Sequence, residues 1–129
     1  MTVGDALPFA KLIGLEITEI TPERVTASLK VRDDLCTRPA ILHGGAIMAF
    51  ADTVGAYATV ANLPEGMTTT TIESKTNFFA AVPVGDTAKA ECTALHRGRT
   101  TMVWQTKISR GDGRLAAVVT QTQLVIPAR

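Results

Sequence analysis

The stretch His43-Gly44-Gly45-Ala46-Ile47-Met48-Ala49-Phe50-Ala51-Asp52-Thr53-Val54-Gly55-Ala56-Tyr57-Ala58-Thr59-Val60-Ala61 decides how this chain folds. It contains no proline, and Ile47, Phe50, Val54 and Tyr57 recur at steps of three and four, the spacing of one stripe of an α-helix. The opposite stripe is small, with Gly45, Ala49, Asp52, Gly55, Ala56 and Thr59. Asp52 is thus the single charge on a helix that is otherwise apolar all round and is expected to be mostly buried. An ionised carboxylate buried without partners costs several kcal/mol, so Asp52 needs either a counter-charge or a chemical task.

On the C-terminal side, Asn62-Leu63-Pro64-Glu65-Gly66 ends the helix, and almost everything beyond reads as strand. Met67 to Phe79 is threonine-rich and closes on an apolar pair. After the turn Pro83-Val84-Gly85-Asp86, Ala88, Ala90, Cys92 and Ala94 alternate with Lys89, Glu91 and Thr93. Arg97-Gly98-Arg99 turns the chain into Thr100 to Ser109, and Gly111-Asp112-Gly113 turns it again into Leu115 to Ile126. On the N-terminal side, Arg32 to Leu42 is a polar, irregular connection containing Pro39. Before it, Leu15 to Ile20 and Val25 to Val31 alternate apolar with polar around Thr21-Pro22-Glu23, an antiparallel hairpin with one buried face. A short helix from Asp5 to Leu12, with Asp5 as N-cap, Pro8 in its first turn and Gly14 as stop, opens the chain. One long helix and an antiparallel sheet of five to six strands with one apolar face predict an α+β fold. The sheet curls around the helix, and residues 1–129 form a single domain.

The formal net charge of +1 over 129 residues argues against nucleic acid or an anionic membrane as partner. Residues 40–61 are apolar, but His43, Asp52 and the glycines make them a poor membrane span. Met1 to Asp5 lacks the basic start and apolar run of a signal peptide. Cys36 and Cys92 form neither a metal-ligand spacing nor a disulfide framework. These features predict a cytoplasmic protein with no metal and no cofactor.

Leu42-His43-Gly44-Gly45, an acid nine positions after the histidine, and a threonine-rich strand ending Asn77-Phe78-Phe79 carry a resemblance. In these residues, and in element order from about Phe9 to Ile126, the chain resembles the hotdog-fold acyl-CoA thioesterases of the phenylacetic-acid-degradation (PaaI-like) type. The resemblance implies hydrolysis of an acyl thioester of coenzyme A, with Asp52 activating water or attacking the carbonyl itself. A structural reading, in which Asp52 is a buried acid paired with an arginine or hydroxyl, stands beside it. Gly44, at the helix start, is the implied oxyanion donor, because N–H groups there have no intrahelical acceptor and the dipole favours negative charge. His43 either orients the loop or satisfies backbone groups, and Gly45 lies on the substrate side.

Similar thioesterases often carry an asparagine six residues before the histidine, where this chain has Thr37, and a glycine where it has Ala40. A Ser or Thr on the strand after the helix often positions water. Alignment on Phe78-Phe79 selects Thr71, with Thr70 next if the register slips, although strand propensity alone explains four consecutive threonines. Arg97 and Arg99 are placed by the resemblance near the phosphates of coenzyme A, and Phe50, Tyr57 and Phe78 are available to line an acyl pocket.

Gly44 and Asp52 are separated by roughly 12 Å of helical rise, too far for one carbonyl to touch both. A site using the two draws them from different chains, so a homodimer with antiparallel helices is the smallest functional unit, and a tetramer is the expected extension. A hydratase on the same fold and a non-catalytic acyl-CoA-binding protein are the alternatives.

Overall fold

The computed structural model describes residues 7–129. Helix α1 (Pro8–Ile13) leads into strands β1 (Leu15–Ile20) and β2 (Arg24–Lys30). A 3-10 turn (Asp33–Leu35) and the two-residue strands β3 (Cys36–Thr37) and β4 (Ile41–Leu42) precede the long helix α2 (Gly44–Val60). Strands β5 (Met67–Phe78), β6 (Thr87–Arg97), β7 (Thr101–Ser109) and β8 (Leu115–Pro127) complete the chain. Six strands form one antiparallel sheet in the order β1-β2-β6-β7-β8-β5, so the hairpin and the later meander join through β2 and β6. The expected α+β architecture, a six-stranded sheet around a single long helix, is the hotdog arrangement.

Pro8 sits in the first turn of α1 and Gly14, at φ 80°, closes it in the left-handed conformation that costs glycine least. Asp5, expected as its N-cap, lies outside the described residues, and Leu7 occupies the cap position without a side-chain bond. Asn62 extends the α2 C-terminus, donating to the carbonyls of Ala58 and Pro22.

Ile47, Phe50, Val54 and Tyr57 are buried, as their spacing predicts. The helix is not covered all round, however. Its sheet side includes Gly55 and Thr59, which were grouped with the small stripe, whereas Gly45, Ala49 and Ala56 face outward and Asp52 is half-buried at the boundary. Trp104 and Phe50 are fully buried, each contributing roughly 2–3 kcal/mol by removal from water. The Trp104 indole N–H donates to Thr59 Oγ at 2.9 Å, and that hydroxyl donates to the Gly55 carbonyl at 2.9 Å, so both polar groups are satisfied inside the core.

The connection from Arg32 to Leu42 is more ordered than its sequence suggests. Strands β3 and β4 pair across a turn, while Leu42 N–H donates to Val82 and His43 N–H to Leu35. Ala40 holds φ 76°, a backbone region costly for any residue with a Cβ. These bonds fix the point at which the chain enters α2.

Candidate active site

His43 is the N-cap of α2, and its Nδ1 accepts the Gly45 N–H at 2.7 Å. That bond leaves the proton of the neutral ring on Nε2. The Ala46 and Ile47 N–H groups both donate to the His43 carbonyl, at 2.9 and 3.1 Å. Among the described residues the Gly44 N–H has no acceptor, which makes it the free donor at the positive end of the helix dipole. Gly45 is exposed at the helix start, and its N–H is taken by His43. A side chain at Gly44 would touch the Phe78 ring at 3.3 Å, so Phe78, half exposed at 52%, covers the helix start rather than filling the core.

Two turns further along α2, Asp52 Oδ1 accepts from Thr71 Oγ at 2.7 Å and from Gln121 Nε2 at 3.3 Å. Among the described residues Asp52 Oδ2 has no partner, and no arginine or lysine pairs with the carboxylate. Of the two partners in the structural reading, an arginine or a hydroxyl, the carboxylate has the hydroxyl, that of Thr71. Thr71 is the strand threonine that meets the acid, and Thr70 is exposed on the other side of β5. Strand β5 bulges between Thr71 and Glu73, and only beyond that point do Ser74 and Thr76 return to the helix side.

The other expected positions are not gathered around Asp52 within this chain. Thr37 is exposed in the β3–β4 turn and makes no hydrogen bond to His43, Gly44 or Asp52. Arg97 donates to the Pro22 carbonyl and to Asn62 Oδ1, both at 3.2 Å, which ties its guanidinium to the C-terminal end of α2. Arg99 has no hydrogen bond or ion pair among the described residues and lines a cleft of about 420 Å³ with Asn62, Arg97 and Met102. Phe50 and Tyr57 belong to the core. The described residues contain no cluster of three metal-binding side chains, and no described helix is long and apolar enough to cross a membrane.

Two residues escaped sequence reasoning. Gln121 and Gln123 are fully buried on β8 and join Thr69, Thr71 and Asp52 in one hydrogen-bonded group. Their signal was present, since both fall on the face that carries Ala117, Val119 and Val125. The intervening Val118, Leu124 and Ile126 are apolar too, which hid which face was inward.

Residues 40–117 match the family model of the thioesterase superfamily. The chain belongs to that superfamily. This thioesterase-superfamily chain is 30% identical over 103 residues to the proofreading thioesterase EntH of Cronobacter turicensis, covering 79% of this chain and 74% of that one. The crystal structure of S. sahachiroi AziG superposes with a TM-score of 0.90 at 30% identity, covering 96% of this chain and all of that one. A Haemophilus influenzae thioesterase superposes at 0.87 with 28% identity, over 92% of this chain and 82% of its own. Membership in this superfamily supports thioester hydrolysis as the general chemistry.

Proposed function

We propose that this chain hydrolyses an acyl thioester of coenzyme A to the free acid and the thiol, acting at least as a homodimer in the PaaI-like manner. The observation that carries the reading is the 2.7 Å bond from Thr71 to Asp52 Oδ1, which holds the one carboxylate of α2 while its second oxygen stays open. In the proposed step, water oxygen bonds to the thioester carbonyl carbon and its proton passes to Asp52. The carbonyl oxygen becomes an oxyanion facing the Gly44 N–H of the second protomer. Collapse breaks the C–S bond, and the departing sulfur takes the proton from Asp52. Direct attack by Asp52, giving a mixed anhydride that water opens, uses the same groups.

Assembly follows from helix geometry. A two-fold axis that runs the α2 helices antiparallel sets Asp52 of one against the first turn of the other. Two surfaces support such pairing: the exposed Gly45 with the half-buried Ala49 and Ala56, and the outer edge of β5, where Ile72 is 56% exposed. A dimer of dimers is compatible with it. Arg99, with Arg97 beside it, is assigned to the phosphates of coenzyme A, and two unpaired thiols suit a cytoplasmic location.

The test is thiol release from phenylacetyl-, benzoyl- and straight-chain acyl-CoA by the wild type and Asp52→Ala. Turnover should fall by roughly 10²–10⁴-fold in the variant with the dimer intact. Undiminished turnover would remove Asp52 from the mechanism, and water addition without thiol release would point to a hydratase.

A further inference from the structure

A carboxylate that takes a proton from a bound molecule works best when one of its oxygens is held in a fixed direction. Among the described residues no cation holds Asp52, and its Oδ2 has no partner. Behind Oδ1, however, stand Gln121 and Gln123 of β8, 0% and 1% exposed. Two buried amides side by side must find partners that leucines would not need, so packing alone does not account for them.

The hydrogen bonds of this group run one way. The Leu124 carbonyl can only accept, so Thr69 Oγ, 2.9 Å away, gives its proton there and accepts from Gln123 Nε2 at 3.1 Å. Gln123 Oε1 is thereby turned toward Gln121 Nε2 at 3.0 Å and Thr71 Oγ at 2.5 Å. Facing that acceptor, Gln121 keeps its nitrogen against Asp52, 3.3 Å from Oδ1 and 3.3 Å from the main-chain carbonyl of the same residue. One amide thus spans both ends of Asp52 and fixes the side-chain torsions between them. Gly55 leaves room for it, since a Cβ there would collide with the Gln121 amide. Turned the other way, Gln121 would set Oε1 against the carboxylate, acceptor facing acceptor. The nitrogen stays on Asp52 even though Oε1 is then buried with no donor among the described residues.

We propose, on the reading of Asp52 as the base, that Gln121 is a positioning residue that locks the carboxylate with Oδ2 as its reacting oxygen, and that Gln123 and Thr69 keep the Gln121 amide the right way round. Thr71 and Gln121 together occupy Oδ1, which leaves Oδ2 to take the proton. The direction of the whole chain of bonds is set by the Leu124 carbonyl, a main-chain group of the sheet that cannot turn over as a side-chain amide can. Orientation of this kind acts on the rate, because a reacting group misplaced by about 1 Å loses up to about 10²-fold.

The experiment joins crystal structures of the full chain to steady-state kinetics on the acyl-CoA that the wild type hydrolyses fastest. Gln121→Met keeps the length of the side chain and removes the donor. In its crystal structure Asp52 leaves the single wild-type rotamer, and kcat falls by about 10–100-fold with KM within a factor of three. An unmoved Asp52, or a loss carried in KM with kcat kept, overturns the proposal. Thr69→Val has the shape of threonine and makes no hydrogen bond to Asp52 in the wild type to lose, but it frees the Gln123 amide to turn. There kcat falls by about threefold or more with KM unmoved. Should Gln121→Met fail to fold, this variant decides, and a wild-type kcat in it overturns the proposal. Full turnover in Asp52→Asn refutes the base reading separately, because the Asp52 rotamer is read without turnover.

Discussion

Thr71 Oγ on the edge strand β5 lies 2.7 Å from Asp52 Oδ1 on the central helix, a bond that joins the outermost strand to the one charge of α2. Thr71→Val deletes the donor and keeps the shape. We expect kcat to fall by about 10–100-fold with KM within a factor of three, because the bond orients the base rather than binding substrate. Thr71→Ser should retain most activity, and Thr70→Val, on the opposite side of the strand, should match the wild type. Equal losses at positions 70 and 71 would show that the threonine run matters only as strand.

The hydroxyl that meets the acid illustrates what sequence can and cannot reveal. The helix, its bulky stripe, and the alternating strands were legible because each follows a period of 3.6 or 2. Which of Thr68 to Thr71 faces Asp52 depends on the bulge after Thr71, and a bulge leaves no periodic trace. The ordering of Cys36 to Leu42 was hidden for a related reason, since two-residue strands are too short to show alternation. Asp52 was expected to be mostly buried, yet in the chain it is half-buried, because the outward face of α2 is apolar without being covered. The Arg97 guanidinium, assigned to phosphate by resemblance, also holds Pro22 and Asn62, contacts 75 and 35 residues away in sequence.

Ala40 gives a stability prediction. At φ 76° its Cβ crowds the backbone, whereas glycine adopts this region freely but loses more entropy on folding. The first effect is larger, so Ala40→Gly should stabilise the protein by about 0.5–1 kcal/mol in urea unfolding. A loss of stability would show that the turn holds no such strain.

Thr59→Val should act in the opposite direction. It removes the acceptor of the fully buried Trp104 N–H, and an orphaned buried donor costs about 1–3 kcal/mol. Trp104→Phe in the Thr59→Val background should then cost less than Trp104→Phe alone, since the donor is already unpaired.

Cys92 supplies a pH-dependent prediction. Burial pushes its thiol up to about 11. The folded state thus holds a proton that the unfolded state releases near pH 9. The thiol's contribution to stability is full below that pH and is lost as pH rises through 11. At pH 8 the folded protein should leave Cys92 unlabelled by iodoacetamide while guanidinium exposes it, as peptide mass spectrometry would report. Labelling of the native protein at Cys92 would contradict its burial.

The composite site is tested most directly by mixing two inactive chains. Gly44→Pro removes the free N–H, and proline suits the first helical position, where His43 before it is already extended at φ −62°, ψ 137°. Asp52→Asn removes the base from the other half of the same site. If each site takes one group from each protomer, a mixed dimer carries one intact site and one site lacking both groups. Unfolding and refolding equal amounts together should therefore restore about a quarter of wild-type activity, since half the dimers are mixed and each has one of two sites working. Refolding either variant alone should restore none. If one chain supplied both groups, every site in the mixture would lack one of them, and the mixture would stay as inactive as its parents.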